Sequence, residues 1–245
     1  MSDKLDYSRV TKYNMLLNYE FLNMKKIALI TGITRGIGRQ VASQLFDKGY
    51  EVHGIYKDSD EIARELDRLG YFTYKVNLEK KTEISRFTKS FIKKVSHIDV
   101  LINNAGIYLS DTVLDETSIS IDRVVSTNLM SKIHLTSQLL PLLIKGQGKK
   151  IVMLSSRFGF EANLDELSFS YCLASCGTNL TTHLYNRSLS QYGIKTTCII
   201  PTVTNTDRFK EGFSKEEQEF VIEKGWLADA QETARMIVED RKSVV

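Results

Sequence analysis

No apolar run in this chain approaches the roughly 18 residues that a membrane-spanning helix needs, so a membrane-embedded protein is not expected. Charge of one sign is also in short supply. Lys and Arg number 33 against 30 Asp and Glu, a net charge of +3. The lysines are scattered, and the pairs Lys93–Lys94 and Lys149–Lys150 read as solvated helix or strand ends. No nucleic-acid partner is expected. Cysteine is scarce too, with only Cys172, Cys176 and Cys198. An odd number without a cleavable signal pattern argues for a reducing, cytoplasmic setting rather than a disulfide framework. Cys172 and Cys176 are four apart and share a helix face, which invites a metal reading. No nearby His or second Cys pair completes a ligand set, so no metal site is expected and both are assigned to packing. Low-complexity tracts and internal repeats are lacking.

What is present is the composition of one large α/β unit, 42% hydrophobic and 26% charged over 245 residues. Residues 1–24 stand apart as an N-terminal extension to a single domain spanning 25–245. Tyr13, Leu16, Leu17 and Phe21 fall near helical spacing, so part of this arm packs as a helix or the arm is a poorly ordered lead-in.

From Lys26 onward, short apolar runs alternate with helix-length amphipathic segments. Ile27-Ala28-Leu29-Ile30 is unbroken, the mark of a strand buried on both faces. Comparable runs come at 52–56, 72–76, 98–102, 150–154 and 195–200, with helices expected near 37–49, 59–70, 82–95, 116–145, 170–191 and 226–238. Regular βα alternation of this kind predicts a doubly wound, parallel α/β sheet. Residues 207–225 are charged and lack strand patterning, as a mobile substrate lid would be.

The first strand runs into Thr31-Gly32-Ile33-Thr34-Arg35-Gly36-Ile37-Gly38 and then a helix. Glycines let the backbone turn tightly and approach a pyrophosphate. The helix N-terminus that follows offers free N–H groups and a partial positive charge. A glycine cluster alone is weak evidence, but this one lies between the first strand and a helix. A second pattern, Asp99-Val100-Leu101-Ile102-Asn103-Asn104-Ala105-Gly106, closes the fourth strand. The two together, in that order, resemble the signatures of the short-chain dehydrogenase/reductase family, and the resemblance runs from residue 26 to about 240.

That resemblance implies a single-domain Rossmann fold, a nicotinamide dinucleotide cofactor and a small-molecule substrate. It places Gly32, Thr34, Arg35, Gly36, Ile37 and Gly38 at the pyrophosphate and Asn77 at the adenine. Asn103, Ala105 and Gly106 line the adenosine ribose. The second strand ends Tyr56-Lys57, with Tyr56 where a carboxylate would hold a free ribose 2′-hydroxyl. Lys57 and Arg35 suit a 2′-phosphate instead, and no carboxylate is placed to repel it. NADP(H) is therefore expected over NAD(H).

The family moves a hydride between nicotinamide and a carbonyl carbon. Carried over residue by residue, Asn128 matches the asparagine that steadies a relay water, Ser156 the serine that bonds the carbonyl oxygen, and Tyr171 the proton donor. In Tyr171-Cys172-Leu173-Ala174-Ser175, serine stands where the family has lysine. Aligning Ala174-Ser175-Cys176 with the family's Ala-Ser-Lys would displace the tyrosine, and Gly177, Gly193, Pro201 and Thr206 all keep family spacing from Tyr171. Serine can bond a ribose hydroxyl but brings no charge. Alcohol oxidation, which needs tyrosinate, suffers most, while reduction needs only neutral Tyr171. Arg157 is a candidate substitute cation. Pro201 and Thr206 fall where the family holds the carboxamide, and the loop 160–170 is expected to shape a substrate pocket.

An NADP(H)-dependent carbonyl reductase is the leading expectation. A catalytically silent dinucleotide-binding protein, as sensor or partner support, is the alternative that Ser175 favours. The Asp-Gly-Gly ending common in the family is lacking, which leaves pairing through 116–145 and 170–191 for a homodimer or higher homo-oligomer.

Overall fold

The computed structural model describes residues 24–109, 118–160, 168–206, 209–210 and 215–239. Except for Met24, the N-terminal extension lies outside them, as do residues 161–167 of the loop expected to shape the pocket.

Apolar runs buried on both faces can only be the middle of a sandwich of helices. The strands β1 (Ile27–Thr31), β2 (Glu51–Tyr56), β3 (Phe72–Lys75), β4 (Val100–Asn103), β5 (Lys150–Leu154) and β6 (Lys195–Ile199) form one parallel sheet in the order β3-β2-β1-β4-β5-β6. This is the doubly wound Rossmann arrangement. Helices α1 (Gly36–Asp47), α2 (Asp60–Arg68), α3 (Lys81–Phe91), α4 (Ser118–Val125), α5 (Ser131–Lys145), α6 (Phe169–Leu189), α7 (Lys215–Glu223) and α8 (Ala230–Val238) connect and cover it.

The two-residue period of the strands divides the core. Leu29, Leu101, Ile151 and Met153 turn to one face and pack on Phe87 and Phe91 of α3 and Leu135 and Leu139 of α5. Ala28, Ile30, Ile102 and Val152 turn to the other and meet Val41 and Leu45 of α1 and Ile237 of α8.

Three elements differ from expectation. The helix expected over 116–145 carries a π-turn, Ser126–Met130, between α4 and α5. Ser131 Oγ donates to the carbonyl of Thr127 (2.6 Å) and Thr178 Oγ1 to that of Asn128 (3.3 Å), so side chains serve carbonyls at this wide turn. The last helix begins at Ala230, not 226, because Asp229 caps it, accepting from the N–H groups of Gln231 and Glu232. Part of the expected lid is helical: α7 buries Val221.

The N-terminal edge of the sheet hangs on one carboxylate. Asp99 is 0% exposed. Its Oδ2 accepts from the N–H of Ile27 at 2.8 Å and lies 3.1 Å from His97 Nε2, while Oδ1 accepts from the N–H groups of Gln147 (2.7 Å) and Gly148 (2.8 Å). It thereby ties the start of β1 to the loop before β5. An asparagine there must turn its NH2 toward donors at one end or the other. Asp99→Asn is expected to lower the unfolding free energy by about 2–4 kcal/mol, read from the urea midpoint at unchanged slope. An unaltered midpoint would contradict this role.

Candidate functional site

β1 and β4 are neighbours, yet the chain leaves β1 toward β2 and β4 toward β5. Their C-terminal loops diverge, and the crevice between them is where open α/β sheets bind ligands. A cavity of about 530 Å³ opens there. It runs from Lys57 and Asn77, beyond β2 and β3, past the switch between β1 and β4, to Tyr171 and Phe209.

At the switch, Thr31 and Asn104 clasp the two loops together. Thr31 Oγ1 accepts from the N–H groups of Asn104 and Ala105, both at 2.9 Å, and Asn104 Nδ2 donates to the carbonyl of Thr31 at 2.8 Å. The glycine turn closes against this clasp. Gly32 has φ +74° and Gly36 φ +56°, angles that side chains rarely adopt. A Cβ on Gly38 would meet the carbonyl oxygen of Gly32 at 2.2 Å. Thr34, Arg35, Gly36 and Ile37 line the cavity with Gly32, while Gly38 supports the turn from behind, because its α-carbon is pressed on the Gly32 carbonyl. Arg35, the N-cap of α1, provides no side-chain cap, so the first-turn N–H groups face the cavity uncapped by the chain's own side chain.

Of the fourth-strand residues, Ala105 and Gly106 line the cavity. Asn103, expected at the ribose, does not. It is 0% exposed, and its Nδ2 donates to Thr136 Oγ1 (3.2 Å) and toward Met153 Sδ (3.4 Å). The strand pleat turns it under the sheet edge, where it braces β4 against α5 and β5.

One end of the cavity is charged. Lys57 Nζ lies 2.7 Å from Glu79 Oε1, and Arg123 Nη2 lies 3.5 Å from the same oxygen. Burial works against the Glu79 anion, but the two cations outweigh it and hold the carboxyl below its usual range. Asp58 and Glu79 both line the cavity, which corrects the expectation that no carboxylate stands here. In sequence, Glu79 looks like one more charge in Glu79-Lys80-Lys81. It is carried in because Asn77 Oδ1 accepts its N–H at 3.0 Å, a local turn that the residue types permit but do not announce.

The same cavity is lined by Asn128, Ser156, Tyr171, Ser175, Pro201 and Thr206. The Asn128 side chain is engaged on both sides, accepting the N–H of Ile107 and donating to its carbonyl, each at 2.8 Å. It thus fixes the loop after β4, including Tyr108, whose ring centroid lies 5.3 Å from that of Tyr171. Ser168 caps α6 by accepting the N–H of Tyr171 at 3.2 Å, and Ser175 follows one turn later. Thr206 covers Gly36: a Cβ there would come 3.2 Å from its Cγ2. Arg157 turns its guanidinium over Trp226, 4.3 Å from the ring centroid, tying the end of β5 to the segment after α7.

Sequence reasoning missed Lys132. It is 6% exposed, lines the same cavity, and its Nζ donates to the carbonyl of Leu154. Among the described residues no three His, Cys, Asp or Glu converge as a metal site. Cys172 is buried whereas Cys176 is exposed, with Sγ directed to the carbonyl of Gly159.

Residues 26–217 match the family described as short chain dehydrogenase. The chain belongs to the short-chain dehydrogenase family. Among its relatives is a 3-oxoacyl-[acyl-carrier-protein] reductase FabG of Staphylococcus epidermidis, 30% identical over 184 residues that make up 73% of this chain and 75% of that one. The FabG of Buchnera aphidicola is 32% identical over 148 residues, 60% of this chain and 61% of its own length. Two solved structures share the fold. NADPH-bound carbonyl reductase from chicken fatty liver gives a TM-score of 0.75 at 22% identity, covering 90% of this chain and 92% of that one. The Pseudomonas aeruginosa RhlG/NADP complex gives 0.78 at 21%, covering 89% and 90%. Membership of the family, with reductases among the relatives, makes this short-chain dehydrogenase an oxidoreductase.

The glycine turn has no spare room, so Gly38→Ala is expected to lower stability by about 1–3 kcal/mol, as overpacking does. Calorimetry checks this, and an unchanged melting temperature would contradict the close approach to Gly32.

Proposed function

We propose that this chain is an NADP(H)-dependent oxidoreductase that reduces the carbonyl of a small or medium organic substrate to an alcohol. One observation carries it: a single cavity joins an uncapped helix N-terminus behind a glycine turn to a wall holding Tyr171 and Ser156. The names of the relatives, 3-oxoacyl reductases among them, and the titles of the NADPH- and NADP-bound structures support the same class.

The residues fit the cofactor. Gly32 and Gly36 leave open backbone where a Cβ would crowd Asn104 or Thr206. The turn from Gly32 to Gly38 and the first N–H groups of α1 hold the pyrophosphate, with Thr34 and Ile37 beside it. Asn77 borders the adenine, Ala105 and Gly106 the ribose, and Pro201 and Thr206 the carboxamide. Arg35 and Lys57 meet a 2′-phosphate. Bound there, the dinucleotide supplies the hydride that the carbonyl carbon takes up. Tyr171 then gives its phenolic proton to the carbonyl oxygen, and Ser156 donates a hydrogen bond to that oxygen. Asn128 acts by holding Ile107 and Tyr108 in place. The product is the alcohol, and Tyr171 recovers its proton from solvent.

Leu173, Leu180 and Leu184 are exposed on α6, which supports a homodimer or higher homo-oligomer through this helix. No helix among the described residues is long and apolar enough to cross a membrane. A cytoplasmic setting accords with three free cysteines. Ser175, without the charge of the family lysine, favours the second reading, a dinucleotide-binding protein without turnover.

NADPH is expected to bind at least about tenfold tighter than NADH, on the order of 1.4 kcal/mol. Lys57→Asp should narrow or reverse that preference. Glu79→Gln, which leaves Lys57 and Arg123 without their counter-charge, should widen it. A fluorescence titration of the native protein that returns equal affinities would overturn the NADP(H) assignment.

Turnover is tested separately. Tyr171→Phe is expected to abolish reduction of any aldehyde or ketone found by screening while changing the NADPH dissociation constant by less than about threefold, because it removes only the proton donor. Full activity in Tyr171→Phe would exclude this mechanism. Tight NADPH binding with no turnover of any carbonyl by the native protein would favour the silent binder.

A further inference from the structure

We propose that Lys132, in the first turn of α5, supplies the positive charge to the Tyr171 end of the cavity that Ser175 does not. The inference rests on the oxidoreductase reading above. A lysine is almost never fully buried unless its ammonium is paired. Lys132 is 6% exposed, and it is held at the C-terminal edge of β5, where Nζ donates to the Leu154 carbonyl. The next residue, Ser155, donates from Oγ to the carbonyl of Ser175 at 3.2 Å. The backbone that receives Lys132 is therefore joined, one residue later, to position 175 itself. The turn just before α5 is clamped to α6, since Thr178 Oγ1 donates to the Asn128 carbonyl.

The wide turn Ser126–Met130 precedes α5 directly, and Asn128 and Lys132, four apart, both line the cavity. The other cations that line the cavity, among the described residues, serve elsewhere. Arg35, Lys57 and Arg123 are exposed at the far end, and Arg157 stacks over Trp226. The field of Lys132 already reaches its neighbours. Burial pushes the Cys198 thiol upward, and a Thr182 hydrogen bond, the Lys132 charge and a Ser155 hydrogen bond oppose that. Cys198 on β6 is the titratable group that feels this ammonium; Tyr171 lines the same cavity, and His134 lies on its own helix.

A cation here does two things in the reaction. It favours the phenolate that accepts a proton in alcohol oxidation, and it attracts an anionic dinucleotide. Reduction, which draws on the neutral phenol, depends on it less.

The test compares native protein, Lys132→Met and Lys132→Gln, each with and without Ser175→Lys. Gln keeps an N–H donor for the Leu154 carbonyl without the charge, and it carries the test if Met at this position prevents folding. Both single variants are expected to lose at least about tenfold in alcohol oxidation at pH 8, with the pH midpoint of oxidation rising by about one unit. The NADPH dissociation constant, measured by fluorescence without substrate, should rise by at least about threefold. Ser175→Lys added to either should restore both. If Lys132→Gln keeps the native oxidation profile and NADPH affinity, the Lys132 charge has only a structural role and the proposal fails. It fails equally if a folded double variant stays impaired. Should the native protein turn over no carbonyl or alcohol, the oxidoreductase reading falls, and the NADPH affinities still judge Lys132.

Discussion

The clasp of Thr31 and Asn104 sets the geometry on which the whole site depends. At the switch point two loops leave adjacent strands in opposite directions, and nothing in sheet pairing alone keeps their tips in register. Thr31 Oγ1 accepts two backbone N–H groups from the β4 loop, and Asn104 returns a bond to the Thr31 carbonyl. The glycine turn is then built onto a fixed edge. Gly38 is wedged beneath the Gly32 carbonyl and Asn104, and Gly36 beneath Thr206, so the loop after β6 is joined to the same edge. Three loops from three strands thus share one reference point.

From that edge the cavity separates its tasks by charge. The end beyond β2 and β3 holds Lys57, Arg123 and Glu79 in contact, a balanced and partly exposed group whose net attraction for an anion depends on one carboxylate. The opposite end is aromatic and hydroxylic, lined by Tyr108, Tyr171, Phe158 and Ser156, and the buried Lys132 lines the same cavity. Weakly solvated surroundings strengthen any charge placed there. This gives Lys132 more weight than a surface lysine has.

Much of this was legible in the sequence, and the reasons are physical. Unbroken apolar runs such as Ile27-Ala28-Leu29-Ile30 have no stable home except a sheet covered on both faces, so the parallel, doubly wound sheet was legible from the alternation. The glycine turn was legible because Gly32 and Gly36 take angles that side chains rarely adopt. What the sequence concealed were features made by three-dimensional convergence. Asn103 looks identical in type to Asn104, yet the pleat sends one to the core and the other to the loops. Glu79 and Lys132 sit in unremarkable contexts, Glu-Lys-Lys and Met-Ser-Lys-Ile, and take their meaning from partners 22 residues away in each case. The π-turn has no residue signature at all, and the Asp229 cap shortened a helix whose apolar spacing began earlier.

The central claim is that the crevice between the β1 and β4 loops receives a nicotinamide dinucleotide. Amide hydrogen exchange with and without saturating NADPH tests it at the level of individual segments. The account predicts slowed exchange concentrated in residues 32–38 and 105–107, with a smaller effect at 201–206. Protection confined to other surfaces, or no protection at concentrations that saturate binding, would contradict it.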